Sequence, residues 1–162
     1  MSERIVTNPA RMAENWRVAM TALTNLFLTT HRTLSGHPPQ LGPTELLIYM
    51  TVSVANVQKL MRERNIPGAY AATGILPREW VVPISRNAIA TATHLPRETV
   101  RRHVATMIAT GLLVEDERGG VTLPVGVIKE RGFEPLLEGM LTDFARSAET
   151  LLRIGVLRIE KD

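Results

Sequence analysis

Apolar residues recur at three- and four-residue spacing over several stretches of the chain, which predicts a mainly α-helical protein. The first stretch is Met12, Trp16, Ala19, Met20, Leu23, Leu26 and Phe27. Asn8 and Pro9 suit a helix start, so one long helix is expected from about Pro9 to Ser35. Gly36, Pro38, Pro39, Gly42 and Pro43 interrupt the pattern before Thr44 and Glu45 open a second helix to about Asn65. The most apolar run, Leu46 to Val57, falls short of the roughly 20 residues that span a bilayer and reads as a buried helix. Near the end, Leu137, Met140, Leu141, Phe144, Ala148, Leu151 and Leu152 predict a last helix that begins at Gly132.

The middle of the chain is patterned differently. Residues 66–83, IPGAYAATGILPREWVVP, are broken by proline and glycine and read as a connector with at most a short helix. Trp80, Val81 and Val82 are expected to form a short strand or a packing plug. From Ile84 to Pro124 the pattern is helix, tight turn, helix, hairpin. Ser85 is a good N-cap for the first helix, which is expected to turn Ala88, Ile89 and Ala92 inward while the small Ala90 permits close approach. His94 occupies the turn and tolerates positive φ better than most side chains. Pro96 presets φ for the second helix, whose buried stripe is Val100, Val104, Met107 and Ile108. Gly111 should follow that helix in the left-handed conformation. Leu112 to Glu115 and Val121 to Val125 flank the turn Arg118-Gly119-Gly120.

These signals divide the chain into N-terminal helices over residues 1–65, a connector over 66–83, the helix–turn–helix and hairpin over 84–125, and a C-terminal helix over 126–162. Two amphipathic helices at opposite ends offer more apolar surface than so small a central module covers. They are expected to pack across a homodimer interface, the alternative being that both cover one monomeric core. Trp16 and Trp80 read as packing anchors.

Charge sharpens this picture. The net charge is +3, and residues 84–111 carry all of it, with four arginines against the single acid Glu98. A localised basic patch on a neutral body points to nucleic acid. The chain has no cysteine, which excludes disulfides and thiolate metal sites and suits a reducing cytoplasm. The N-terminal residues lack the continuous apolar core of a secretory signal, so the chain is expected to start near Met1. There is no phosphate loop, nucleophile elbow or dinucleotide fingerprint, so neither an enzyme nor a cofactor is expected. His94 and His103 lack a ligand set with metal-site spacing.

The second helix of the motif carries Arg97, Glu98, Thr99, Arg101 and Arg102 in its first two turns, the part that enters a major groove in DNA-reading helices. Arginine's planar fork bonds two acceptors on guanine or a phosphate. Glu98 is expected to hold Arg102 as an i,i+4 partner, and Thr99 to bond a phosphate or support the helix start. Arg118 at the hairpin tip is placed for a minor groove or a phosphate, beside the repelling Glu115, Asp116 and Glu117. With Ser85 and Arg86, these are the candidate DNA-contacting residues.

The stretch ISRNAIATATHLPRETVRRHVATMIATGLL resembles the DNA-binding modules of bacterial winged helix-turn-helix transcriptional regulators, including the C-terminal module of the catabolite-activator type. Its place between long helices is similar to the MarR type. That resemblance implies a mainly α fold with a small β-hairpin wing, a dimer on palindromic double-stranded DNA, Arg97, Glu98, Arg101 and Arg102 as recognition-helix positions, and Arg118 as the wing arginine. A small-molecule effector in a cleft between the terminal helices and the module is compatible with it. The alternative is a winged helix that binds protein and not DNA.

Overall fold

A computed structural model describes residues 3–72 and 74–161. They are mainly helical and fold as two compact units: one joins the two ends of the chain, up to His37 and from Glu134 onward, and the other is Pro38–Phe133. Residues 38–65, grouped with the N-terminal helices by sequence, belong to the second of these.

In the terminal unit, strand β1 (Glu3–Thr7) pairs antiparallel with β4 (Leu157–Lys161), in a register running from Glu3 opposite Lys161 to Thr7 opposite Leu157. Neither strand shows in the local hydrophobic pattern. Asn8 then caps α1 (Pro9–Glu14), its side chain accepting from the Arg11 N–H at 3.3 Å. The expected single helix from Pro9 is in fact broken at Asn15, where φ is −117° and ψ 23°. The Asn15 side chain donates to the Arg11 carbonyl at 3.0 Å, a local bond of the kind that competes with helix continuation. Helix α2 (Trp16–Gly36) follows. It packs antiparallel on α9 (Glu134–Arg153), since Ala19 meets Leu151 and the Ser147 hydroxyl donates to the Ala22 carbonyl at 3.4 Å. Helix α9 starts later than Gly132, which sits at φ +63° and breaks the chain from the short α8 (Val127–Glu130). Ala19, Leu151 and Val156 form this unit's small core. Trp16 is 61% exposed and anchors nothing here, contrary to the sequence expectation.

The central unit is built on α3 (Pro43–Asn56), which buries Leu46, Ile48, Tyr49 and Val52. The Gly42 N–H donates to the Glu45 carboxylate at its start, at 3.0 Å. The helix ends at Asn56 and not at Asn65, because the Asn56 carbonyl accepts from the Val82 N–H at 3.0 Å instead of from the next helical turn. Two one-turn helices, α4 (Gln58–Met61) and α5 (Gly68–Ala71), and a 3-10 turn over Arg78–Trp80 complete the connector. Trp80 packs beside Tyr70, with Lys59 Nζ 5.3 Å from its ring. Val81 and Val82 are not a strand: the pairing with the hairpin falls at Ile84, which exchanges both backbone hydrogen bonds with Val121 at 3.1 and 2.9 Å.

Helices α6 (Arg86–Thr93) and α7 (Arg97–Ala109) and the hairpin of β2 (Val114–Glu115) and β3 (Val121–Thr122) close this unit. Its core joins Ile48, Tyr49 and Val52 to Ile89 and Ala90 of α6, Val100, Val104 and Met107 of α7, and Leu112, Leu113 and Val121. Ile89 and Ala90 form the inward face of α6. Ala88 and Ala92, expected there, lie one turn apart on its exposed side. Among the described residues no helix is long and apolar enough to cross a membrane.

Candidate nucleic-acid interface

Ser85 caps α6, its hydroxyl accepting from the Ala88 N–H at 3.2 Å. The helix stops at His94, which takes the left-handed conformation at φ 56° and ψ 21°. Thr93 secures the turn, donating to the Ile89 carbonyl at 2.7 Å and accepting from the Leu95 N–H at 3.4 Å. Pro96, at φ −57°, then starts α7 at Arg97. Because Val100, Val104 and Met107 are held in the core, Arg97, Glu98, Arg101 and Arg102 are placed on the exposed side, with Thr99 half-buried between them. Gly111 follows the helix at φ +72°, as the pattern predicted.

Glu98 takes Arg101, three residues on, and not Arg102: the Arg101 fork donates to both carboxylate oxygens at 2.6 and 2.8 Å. That hydrogen bonding lowers the Glu98 pKa and raises that of Arg101. Among the described residues Arg102 forms no ion pair, although its charge also acts on Glu98.

Of the three hairpin acids, Glu115 and Asp116 are engaged, while Glu117 is exposed. Arg86 donates in a fork to Glu115 at 2.6 and 3.0 Å, tying α6 to β2. Its hydrogen bond lowers the Glu115 pKa, and Glu115 in turn raises that of Arg86. Asp116 turns inward, its Oδ1 accepting from the Arg118 and Gly120 N–H groups at 2.9 and 2.7 Å. Gly120 has no room for a side chain, since a Cβ there would lie 2.6 Å from Pro83 Cβ. Arg118 is exposed at the tip. Among the candidate contact arginines, Arg97, Arg102 and Arg118 have no ion pair with a described residue, while Arg86 and Arg101 have one.

No family model, characterised protein or solved structure matches the chain.

Two features escaped the sequence reading. Asn56, buried at the end of α3, donates to the Val82 carbonyl at 2.9 Å and to the Val121 carbonyl at 3.4 Å, and accepts from the Leu123 N–H at 2.9 Å. It therefore fixes the connector and β3 to one helix end, a role that an asparagine in an apolar run hinted at without naming its partners. The second is a cavity of about 630 Å³ between that helix end, the connector and the hairpin, lined largely by apolar groups such as Val57, Leu76, Val81, Val114 and Leu123. Its size is that of a small-ligand site. Among the described residues no cluster of His, Asp or Glu is arranged to hold a metal ion.

Proposed function

We propose that the chain binds double-stranded DNA sequence-specifically and regulates transcription from the cytoplasm, with α6, the His94 turn, α7 and the hairpin acting as a winged helix-turn-helix. The observation that carries this reading is the division of charge on the exposed face. Among the described residues, Arg97 and Arg102 in the first two turns of α7 form no ion pair within 4 Å, whereas Glu98 and Glu115 are bound to arginines and Asp116 to the hairpin backbone. Glu98 and Glu115, two of the acids that would repel phosphate, are thus neutralised locally, leaving Glu117 exposed beside Arg118, and Arg97 and Arg102 sit where a groove-entering helix presents its reading residues. Arg118 adds a contact at the hairpin tip, and Ser85 and Arg86 brace the start of α6. The cavity beside β2 and β3 is the position from which a small apolar effector would reach the hairpin.

Selection of bound sequences from a random duplex pool, followed by affinity measurements across salt concentrations, tests the proposal. An enriched consensus is expected, with affinity falling as salt rises. Arg97→Ala with Arg102→Ala should weaken binding at least about tenfold and flatten the salt slope, each lost phosphate contact reducing it by about one. No enriched sequence, or a folded double variant with unchanged affinity and slope, overturns it.

A further inference from the structure

The terminal unit buries little of its apolar surface internally. On α2, Met20, Leu23 and Phe27 are 45%, 52% and 68% exposed, and on α9 Leu137, Leu141 and Phe144 are 58%, 55% and 58% exposed. Each triplet follows helical spacing and contains no charged residue. We infer that these two stripes form one face on which a second copy of this chain docks, with α2 of each protomer laid over α9 of the other.

Three observations carry this. The first is geometric. On α2 the stripe lies roughly a quarter of a turn round the helix from Ala19 and Ala22, which face α9; on α9 it lies roughly a quarter of a turn, in the same sense, from Ser147 and Leu151, which face α2. Rotation in the same sense on two antiparallel helices brings both stripes to the same side of the pair, so the unit has a single continuous apolar face. The second is charge. Helix α2 carries Arg17 and Arg32 and no acid, whereas on α9 acids outnumber Arg146 and Arg153. A two-fold axis parallel to the helices sets the basic α2 over the acidic α9 of the other copy in both halves of the interface. An axis perpendicular to the helices would set α2 over α2 and α9 over α9, like charge against like. The third is size. The six side chains, with Trp16 at the end of the stripe, present on the order of 600–700 Å² of apolar surface, taking about 200 Å² for a whole aromatic side chain. A standard interface takes about 800 Å² from each partner. The face therefore suits a four-helix bundle of two identical hairpins, an isologous contact.

The register of α2 on α9, with Ala22 against Ser147, sets Phe27 level with Leu141. Because the chain has no cysteine of its own, Phe27→Cys and Leu141→Cys proteins can be mixed and oxidised. The cross-linked heterodimer between the two different chains should be the main product. In the absence of DNA, the unaltered chain should sediment at twice 18.0 kDa, and Phe27→Glu with Leu141→Glu should shift it to the single-chain mass with its helical circular dichroism retained. If that charged variant unfolds, the cysteine mixture decides the question, since its substitutions stay uncharged. A single-chain mass for the unaltered protein up to tens of micromolar, or cross-links forming within each cysteine protein but not between the two, overturns the inference. DNA plays no part in these measurements, so a monomer that binds duplex DNA would sink this inference and leave the proposed function standing.

Discussion

His94 holds the backbone between α6 and α7 at φ 56° and ψ 21°, a region where a Cβ crowds the following carbonyl. Glycine meets no such crowding, at the cost of more freedom to lose on folding. His94→Gly is therefore expected to stabilise the central unit by up to about 1 kcal/mol, read as a higher urea midpoint at unchanged slope; a lower midpoint would mean that the imidazole contributes more than its backbone costs. Asn56 is the opposite case. Replacing it with leucine leaves the Val82 carbonyl and the Leu123 N–H without their partner, while the Val121 carbonyl keeps the Ile84 N–H. Unsatisfied buried groups cost about 1–3 kcal/mol each, so Asn56→Leu should destabilise the unit by at least about 2 kcal/mol in the same assay. The His94 turn was legible because its constraint is local, held between two helical patterns. Asn56 was not, since its partners lie far along the chain. The choice of Arg101 over Arg102 by Glu98 was likewise beyond spacing rules, which allow both i,i+3 and i,i+4 pairs.

At the scale of elements, the hydrophobic periodicity located the helices and missed their ends. Helix α7 matched its predicted stripe because Val100, Val104 and Met107 all face one core. Helices α1 and α3 ended where an asparagine side chain or carbonyl found a competing partner. Strands β1 and β4 pair the two ends of the chain, a contact that no local window contains. The fork between Arg86 and Glu115 joins two elements and gives the hairpin a pH dependence. Glu115 has a lowered pKa in the folded state. Its contribution is therefore present at neutral pH and lost as pH falls through that lowered value. The upward shift of Arg86 lies in strong base, far from this window. Amide hydrogen exchange, corrected for its intrinsic pH dependence, should show β2 and β3 losing protection in acid, and Glu115→Gln should show weak protection already at neutral pH. Identical acid profiles in both proteins would show that the fork does not hold the hairpin.

Across the whole molecule, the segment that bears every candidate DNA contact looks self-contained when read along the chain. Residues 84–125 hold α6, α7, the hairpin and all the candidate arginines. Yet β2 and β3 are two residues each, too short to pair unaided, and β3 is fastened to Asn56 while the core beneath α6 and α7 is completed by Ile48 and Val52. A fragment of residues 84–125 should therefore give the collapsed amide spectrum of an unfolded peptide, whereas residues 38–133 should give a dispersed one. A folded short fragment would show that α3 is dispensable. The consequence reaches to transplantation. The candidate segment cannot be grafted onto another protein as a cassette, because the anchor that orders its hairpin is a helix that ends well before the cassette begins.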